Sequence, residues 1–539
     1  MVKCVARWVA LVSPAAGVVH RVMDRPARTL SILILLATAG LYLVRLGDRA
    51  VVSEEARWAT VAREMAASGD YLHPTMNARP YPDKPAGSYW LILLAAKLTG
   101  DTDELAARLP AAVAGVVGVG LVMSLGRRLH GPAAGLTAGV VLATSYGFAF
   151  YSRRATADTE TATGVLAAVW LYARCGGRGG PWVVGLWLLM AGVSLLKGLP
   201  GVALPVAVFL LHGGRAARWL LTPWTLLAVP LAAAVYLAPF VLAGGADGGL
   251  GMVWRENVRR FVAPHNHAGP VWLYAAAVWV LAAPWAAFLP AALVPAKGDD
   301  RLARLYFWAV FLLFTASASR RSYYLLPVLP AVALLVGRVL TAPDLPPLAR
   351  RLRAAGWVVL GVAAVALGLA AVPPGWVLTG PAGELPPLPA RGLVLAGWLA
   401  AVAATVATAA GRVRSLVPAA VGAFGVLGYV FGLALPAADG QRTSRPFVHQ
   451  VRDRTGCDGL AVYRGRDAVF DLGRPVPEFL TPEELAEALA TGRVTWVLAP
   501  RRHLAGLDLA ATVVAEEPGR PWEGPDQAGD KLVLLRAGR

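Results

Sequence analysis

Long apolar segments recur along most of the chain, and they approach the length that a helix needs to cross a bilayer, which is roughly 20 residues. The chain is 57% hydrophobic and only 16% charged, which is typical of a polytopic membrane protein and excludes an ordinary soluble one. We therefore expect an all-α membrane domain over residues 30–435 with about 13 transmembrane helices. The candidate segments are residues 30–46, 109–125, 133–151, 159–173, 182–196, 198–212, 220–242, 270–293, 305–318, 323–339, 356–372, 392–410 and 416–435.

The basic residues predict the orientation of this domain. The net charge is +18, and arginines such as Arg127 and Arg128 cluster in short loops between apolar segments. Such loops stay on the cytoplasmic side, so the charge indicates membrane topology and not a nucleic-acid partner. All these loops fall on one side only if the short apolar stretch 88–98 does not cross the membrane. The N-terminus is then cytoplasmic and the C-terminus extracytoplasmic.

The two ends of the chain differ in composition from the membrane domain. Residues 1–29 have a basic start and no convincing cleavage site, which favours a cytoplasmic extension over a signal peptide. Residues 436–539 predict a small extracytoplasmic α/β domain, with strands at 460–463, 468–471, 494–498 and 531–535 and a helix capped by Thr481. We see no catalytic constellation in that domain.

The first outer loop, residues 48–98, contains acids followed by an amphipathic helix. Glu54 and Glu55 stand at the helix start, where acids complement the helix dipole. Trp58 and three further residues, Val61, Ala62 and Met65, recur on one helical face. We expect this face to lie on the membrane surface, which would hold the acids near a lipid headgroup. Lys84 follows in a proline-rich turn.

Two further outer positions carry ionisable side chains, an acid and a lysine. Asp158 precedes an apolar helix, where it is either a helix cap or a second carboxylate facing Glu54. Lys197 lies in a tight turn between apolar segments, where it either extends to the interface or takes part in function. Both residues fall on the outer side of the membrane. The charge bias should leave that side poor in basic residues, so Lys197 is unexpected there.

The remaining outer candidates suit phosphate binding. His265 and His267 in the second large outer loop, residues 244–269, lack a third metal ligand nearby, so a metal is a minority interpretation. Arg320 and Arg321 bridge a very short turn, and guanidinium groups bind phosphate in bidentate fashion. The secondary candidates are Glu55, Arg57, Tyr81, Lys197, Glu256, His265 and Tyr324.

Several short motifs together resemble the GT-C-fold glycosyltransferases that use polyprenyl-phosphate sugars, in particular bacterial aminoarabinose (lipid A) transferases and protein O-mannosyltransferases. The resemblance covers roughly residues 30–340. It rests on SEEARWATVAREM with SGDY, YPDKPAGSYW, AARLP, RATADTE, LKGLPG, ENVRRF and SRRSYYLLPVLP. The family's Asp-Glu pair aligns with Glu54-Glu55, and its Lys-Pro-Pro with Lys84-Pro85-Ala86.

The resemblance implies an inverting transfer of sugar from a polyprenyl-phosphate donor to a hydroxyl or phosphate acceptor at the outer face of the bacterial inner (plasma) membrane. The acceptor would be lipid A, another glycan or lipid, or a protein. Lys84, Arg260, Arg320 and Arg321 would hold the donor phosphate. Glu54 would act as general base, with Asp158 orienting it or the acceptor, while Glu55 would pair with an arginine or backbone amides. No cofactor is implied, and a metal is possible but not indicated.

A transporter or flippase of a lipid-linked sugar is the alternative. Transporters tend to have internal repeats and ionisable residues near the bilayer midplane. We find no repeat in the sequence, and the charges lie at the outer mouth, so the enzyme is favoured. The pattern names neither the sugar nor the acceptor.

Overall fold

The computed structural model describes residues 25–52, 54–175, 180–213, 222–244, 249–259, 269–295, 301–371, 416–436, 439, 443–507, 509–518 and 531–538. The predicted span 392–410 and most of the predicted extension 1–29 lie outside these residues. The helices of the membrane domain are α1 Arg25–Leu43, α2 Glu54–Ser68, α3 Gly87–Thr99, α4 Glu104–His130, α5 Pro132–Thr144, α6 Tyr146–Tyr151, α7 Asp158–Cys175, α8 Trp182–Lys197, α9 Pro200–His212, α10 Pro223–Ala243, α11 Gly249–Val253, α12 Leu273–Leu281, α13 Leu289–Leu293, α14 Arg301–Ala316, α15 Leu329–Thr341, α16 Pro347–Ala371 and α17 Leu416–Tyr429.

Helices occupy the predicted apolar segments within the described residues, but two of those segments are broken. The segment predicted over 270–293 consists of two helical pieces, Leu273–Leu281 and Trp285–Leu293, that meet at 112°. The segment predicted over 133–151 is interrupted at Ser145, which separates α5 from α6. Hydropathy alone does not detect such bends, because both sides of the break are equally apolar.

Four described helices, or five with the bent pair, are long and apolar enough to cross a membrane. Several others are apolar but shorter, so the total of about 13 spans stays a prediction. Leucines and valines on these helices are exposed, for example Leu226 at 74% and Leu242 at 68% on α10. Apolar side chains in such number need a lipid environment.

Small residues allow the central helices to pack closely. A Cβ added to Gly337 of α15 would lie 2.8 Å from the carbonyl oxygen of Ala134 on α5, which is too close for a side chain. Such small-residue contacts are typical of membrane helix interfaces, because they let two backbones approach. The core between these helices is built almost entirely of buried aliphatic and aromatic side chains.

The amphipathic helix α2 is present, but its apolar face does not lie on the membrane. Trp58, Val61, Ala62 and Met65 are buried in a protein core formed with residues of α3 and with Phe470 from the C-terminal region. The ring of Trp58 lies 5.0 Å from that of Tyr89. The expected placement of this face on lipid is therefore wrong, since protein side chains occupy the space that the lipid would fill.

A short hairpin between α2 and α3 is tied to α2 by one carboxylate. The hairpin consists of β1 Thr75–Met76 and β2 Arg79–Pro80. Glu64 accepts hydrogen bonds from the Thr75 hydroxyl at 2.6 Å and from the backbone amides of Asn77 and Ala78 at 2.6 and 3.0 Å. This clamp fixes the segment that leads into Lys84.

The C-terminal region folds around a five-stranded sheet. Its elements are α18 Arg445–Thr455, β3 Leu460–Tyr463, α19 Val469–Leu472, β4 Glu478–Phe479, α20 Pro482–Ala490, β5 Trp496–Pro500, β6 Ala511–Glu516 and β7 Leu532–Ala537. The strand order is β4-β3-β5-β7-β6, with β4, β3 and β5 parallel and the other two pairs antiparallel. Side chains of α18 and α20 pack into separate cores with alternate residues of β3. The helices therefore cover opposite faces of the sheet.

Three of the four predicted strands in this region are confirmed, with boundaries shifted by up to two residues. The capping box at Thr481 is also present. The strand predicted at 468–471 is wrong: the segment is helical, and its Phe470 packs into the core under α2. A run of apolar residues this short does not distinguish a buried helical turn from a strand.

Contacts from this domain to the first outer loop are numerous. The guanidinium of Arg63 lies 3.7 Å from the ring centroid of Phe470 and donates to that residue's carbonyl at 2.8 Å. The Asn77 side-chain oxygen accepts from the Val476 amide at 2.9 Å. The domain therefore lies on the same side of the molecule as the predicted site.

Candidate active site

The site forms around Glu54, where the first residue of α2 meets the turn before α15. One Glu54 oxygen lies 3.5 Å from a guanidinium nitrogen of Arg321, and the other accepts from the Tyr323 hydroxyl at 3.4 Å. Arg57, one helical turn further on, lies 3.8 Å from the same carboxylate. Residues far apart in sequence thus converge on one acid.

Close packing between α3 and α8 brings the two lysine turns together. A Cβ on Gly87 would lie 2.6 Å from the carbonyl oxygen of Leu195, so only glycine allows this approach. The Ser88 hydroxyl donates to the Leu196 carbonyl at 2.6 Å. Lys84 precedes α3 and Lys197 ends α8, so this contact places both lysines at the same end of the bundle.

Asp158 and Lys197 form a buried ion pair. The lysine nitrogen lies 2.5 Å from one Asp158 oxygen and donates to the Thr156 carbonyl at 3.0 Å. It also lies 5.2 Å from the ring centroid of Tyr323. The second Asp158 oxygen is buried and has no hydrogen-bond partner among the described residues. Lys197 therefore fixes the position of the Asp158 carboxyl.

The charges around Glu54 keep it ionised. Partial burial acts to raise the pKa of its carboxyl, but the cations Arg57, Lys197, Arg321 and Lys84 together outweigh burial, so the pKa lies below its ordinary value. At neutral pH the group is therefore a carboxylate, which is the form that accepts a proton.

Glu55 points to a different environment, because adjacent helical residues diverge by about 100°. It is 3% exposed and contacts Arg108 at 2.9 Å and Arg154 at 3.3 Å, while the amide of Ala155 donates to it at 3.1 Å. The expected pairing with an arginine and a backbone amide is present. Burial acts to raise the pKa of Glu55, but the two arginines and these hydrogen bonds lower it overall.

Arg57 connects the site to the C-terminal domain. Besides Glu54, it lies 3.9 Å from Asp467 and interacts with the Tyr81 hydroxyl. Tyr81 and Lys84 line a cavity of about 30 Å³ together with Glu54, Arg57, Trp58 and Tyr89. Sequence reasoning missed Asp467, because an aspartate in a distant soluble domain carries no pattern that links it to Glu54.

The two adjacent arginines before α15 do not act as a pair. Arg321 faces Glu54, whereas Arg320 donates to the carbonyls of Gly269 at 2.7 Å and Thr315 at 3.1 Å and so holds the turn. The Tyr324 ring packs edge-on against Tyr323, with ring centroids 5.0 Å apart.

Three candidates from the second outer loop are not placed. Arg260, His265 and the side chain of Glu256 lie outside the described residues. Within the residues that are described, no group of three His, Cys, Asp or Glu side chains is arranged to hold a metal ion.

The charges around Glu54 favour an anion at this position. Four cations, Arg57, Lys84, Lys197 and Arg321, act on the carboxylate of Glu54. Lysine and arginine side chains grouped in this way can bind the negative charge of a phosphate. Tyrosine rings beside the cations add flat apolar surface next to this charge.

Comparison with known proteins shows what the chain resembles in sequence. Residues 83–242 match the family described as dolichyl-phosphate-mannose-protein mannosyltransferase. The chain is 32% identical over 353 residues to the undecaprenyl phosphate-alpha-4-amino-4-deoxy-L-arabinose arabinosyl transferase of Pseudomonas aeruginosa strain UCBPP-PA14, covering 62% of this chain and 64% of that protein. The enzyme of the same description from Edwardsiella ictaluri is 31% identical over 329 residues, covering 57% and 58%. The aligned part is thus less than two thirds of either relative.

A solved structure matches along nearly the whole chain. The crystal structure of ArnT from Cupriavidus metallidurans bound to undecaprenyl phosphate superposes with a TM-score of 0.71 over 94% of this chain and 99% of that one, at 21% identity. The chain therefore has the GT-C fold of this transferase and resembles the aminoarabinose transferases in sequence. The resemblance predicted from the short motifs is confirmed.

Proposed function

We propose that this GT-C-fold membrane protein is an inverting glycosyltransferase that moves a sugar from a polyprenyl phosphate to a hydroxyl or phosphate acceptor, such as lipid A or another glycan, lipid or protein. The observation that carries the proposal is the ionised Glu54 surrounded by the four cations Arg57, Lys84, Lys197 and Arg321. The transferases that share the fold and sequence motifs support the enzyme over the alternative of a transporter.

The parts suit a direct displacement. The acceptor oxygen attacks the anomeric carbon, and the bond from that carbon to the phosphate oxygen breaks with its electron pair on the phosphate. The leaving polyprenyl phosphate gains a second negative charge, which Lys84 and Arg321 stabilise where it develops. When the acceptor is a hydroxyl, its proton passes to the Glu54 carboxylate. Asp158, held by Lys197, orients the acceptor.

Donor binding is the first test of this proposal. Lys84→Ala and Arg321→Ala should each weaken binding of an undecaprenyl phosphate in detergent by about ten- to a hundredfold, because one charged contact to phosphate is lost. Lys97→Ala is the matched control, since Lys97 is an exposed lysine on the same outer loop outside the cation group. Unchanged affinity in both site variants would remove the assignment.

We also propose a membrane topology with the N-terminus cytoplasmic, the site and the C-terminal domain outside, and about 13 spans. It rests on the basic loops, which fall on one side when α3 does not cross. A periplasmic reporter fused after Leu435 should be active, and a cysteine placed at Asp101 should react with an impermeant reagent added from outside. Activity of a cytoplasmic reporter at the same fusion point would contradict this orientation.

A further inference from the structure

A second cavity lies on the other side of the α2 start, where Glu55 points. It has a volume of about 240 Å³ and is lined by four arginines, Arg49, Arg108, Arg153 and Arg154. Glu55 is the only carboxylate in its lining, and Phe150, Phe431 and Leu435 contribute an apolar wall. None of these arginines belongs to the cation group around Glu54.

The cations of this cavity are not neutralised by carboxylates of the described residues. Asp439 pairs with Arg49 at 3.2 Å, Glu55 pairs with Arg108 and Arg154, and Asp48 attracts Arg153, so four guanidinium groups face three acids. Burial, together with repulsion from Arg108 and Arg49, lowers the pKa of Arg153 to about 10. An anion in the cavity would relieve this repulsion.

Two of the four arginines are used by the fold. Arg108 directs its donors to Glu55 and to the carbonyls of Leu46, Arg49 and Ala50. Arg153 donates to three carbonyls at the end of α1, between 2.7 and 2.9 Å, and its guanidinium lies 4.8 Å from the ring centroid of Phe431. These two form the walls of the cavity.

The other two arginines retain capacity for a ligand. Arg49 and Arg154 are 25% and 24% exposed, so the cavity is open to a molecule arriving from outside. The Nε of Arg154 is buried and has no hydrogen-bond partner in the part of the chain that the structure describes. Arg49 donates from its Nε to Asp439 at 3.2 Å, and a terminal nitrogen of Arg154 donates to the Val52 carbonyl at 3.4 Å. Both therefore have donors to offer to an anion.

We propose that this cavity binds a phosphate ester group of the acceptor, with Arg49 and Arg154 as its ligands. The assignment rests on the proposed function. It places the acceptor phosphate and the donor phosphate on opposite sides of the first turn of α2. Arg154 links the two regions, because its partner Glu55 is adjacent to Glu54. The apolar wall favours a phosphate carried on an amphiphile over free phosphate.

The test counts phosphate sites on the full-length protein in a non-ionic detergent, with dodecyl phosphate as the probe. We expect two sites in the wild type. Arg49→Gln combined with Arg154→Gln should weaken one site by about ten- to a hundredfold, and Lys84→Ala should weaken the other. Arg45→Gln is the matched control, because Arg45 is an exposed neighbour of Arg49 that pairs with Asp48 outside the cavity. Thermal unfolding of each variant identifies loss of folding.

The outcomes separate the two proposals. A double variant that folds and binds dodecyl phosphate like the wild type overturns the acceptor site, whatever Lys84→Ala does. A loss in the double variant with no effect of Lys84→Ala supports the cavity and contradicts the donor site. Inorganic phosphate should compete only weakly at the arginine cavity; equal affinity for both would assign it to free phosphate and overturn the acceptor assignment. In turnover assays, the KM for a phosphorylated acceptor should rise in the double variant while the donor KM stays constant.

Discussion

Glu54→Gln should lower turnover by a factor of about 10² to 10⁴, the usual contribution of a general base. The amide keeps the shape of the side chain but does not take a proton. Binding of polyprenyl phosphate should not weaken, because the substitution removes a negative charge from a group of cations. The measurement is the initial rate with a hydroxyl acceptor, beside a donor-binding titration on the same preparation.

Two companion variants make this result specific to Glu54. Glu54→Asp should retain part of the activity, since it keeps a carboxylate but shortens the side chain by one methylene. Asp158→Asn should raise the acceptor KM more than it lowers turnover if Asp158 only orients. If Glu54→Gln turns over normally while Asp158→Asn is inactive, the base is Asp158 and Glu54 has another role.

Glu55→Gln should leave the chemistry in place but destabilise the fold. The change leaves Arg108, which is 4% exposed, without its buried counter-charge, and breaking a buried pair in this way costs about 3–5 kcal/mol. The free energy of unfolding, measured by denaturation in detergent, should fall accordingly. Glu54→Gln is the matched control, because the same substitution one residue earlier removes a partly exposed carboxylate and should cost far less.

A double variant tests whether the unpaired buried charge of Arg108 causes the loss of stability. Glu55→Leu combined with Arg108→Met removes both charges, so its cost should be smaller than the sum of the two single variants. It should not recover fully, because Arg108 also satisfies the carbonyls of Leu46, Arg49 and Ala50. Equal stability of Glu54→Gln and Glu55→Gln would contradict the assignment of a structural role to Glu55 and a chemical role to Glu54.

Much of the site was predictable because its chemistry depends on local patterns. Glu54 and Glu55 stand at the start of an amphipathic helix, and helical geometry alone implies that only one of them faces a given substrate. Lys84 and Lys197 stood out because lysines are unexpected on the outer side of a charge-biased membrane protein. In the structure, both lysines act on Glu54 and lower the pKa of its carboxyl.

Other features depend on partners that are remote in sequence. Arg320 and Arg321 are equivalent as a motif, yet only Arg321 faces Glu54. Arg320 instead donates hydrogen bonds to backbone carbonyls that hold the turn. The apolar face of α2 has the same periodicity whether it meets lipid or protein. Phe470 from the C-terminal domain meets it here.

The sequence by itself determined the class of the protein, the positions of most helices and the resemblance to lipid-linked sugar transferases. It also singled out Glu54, Asp158, Lys84 and Lys197 as candidates. These follow from hydropathy, helical periodicity and charge bias, which act over a few turns of chain. The tertiary structure alone decided that Asp467 reaches Arg57, that two of the predicted apolar segments are broken and that four arginines enclose a second cavity. The physical reason is that an ion pair or a cavity depends on which distant segments pack together, and no local pattern encodes that choice.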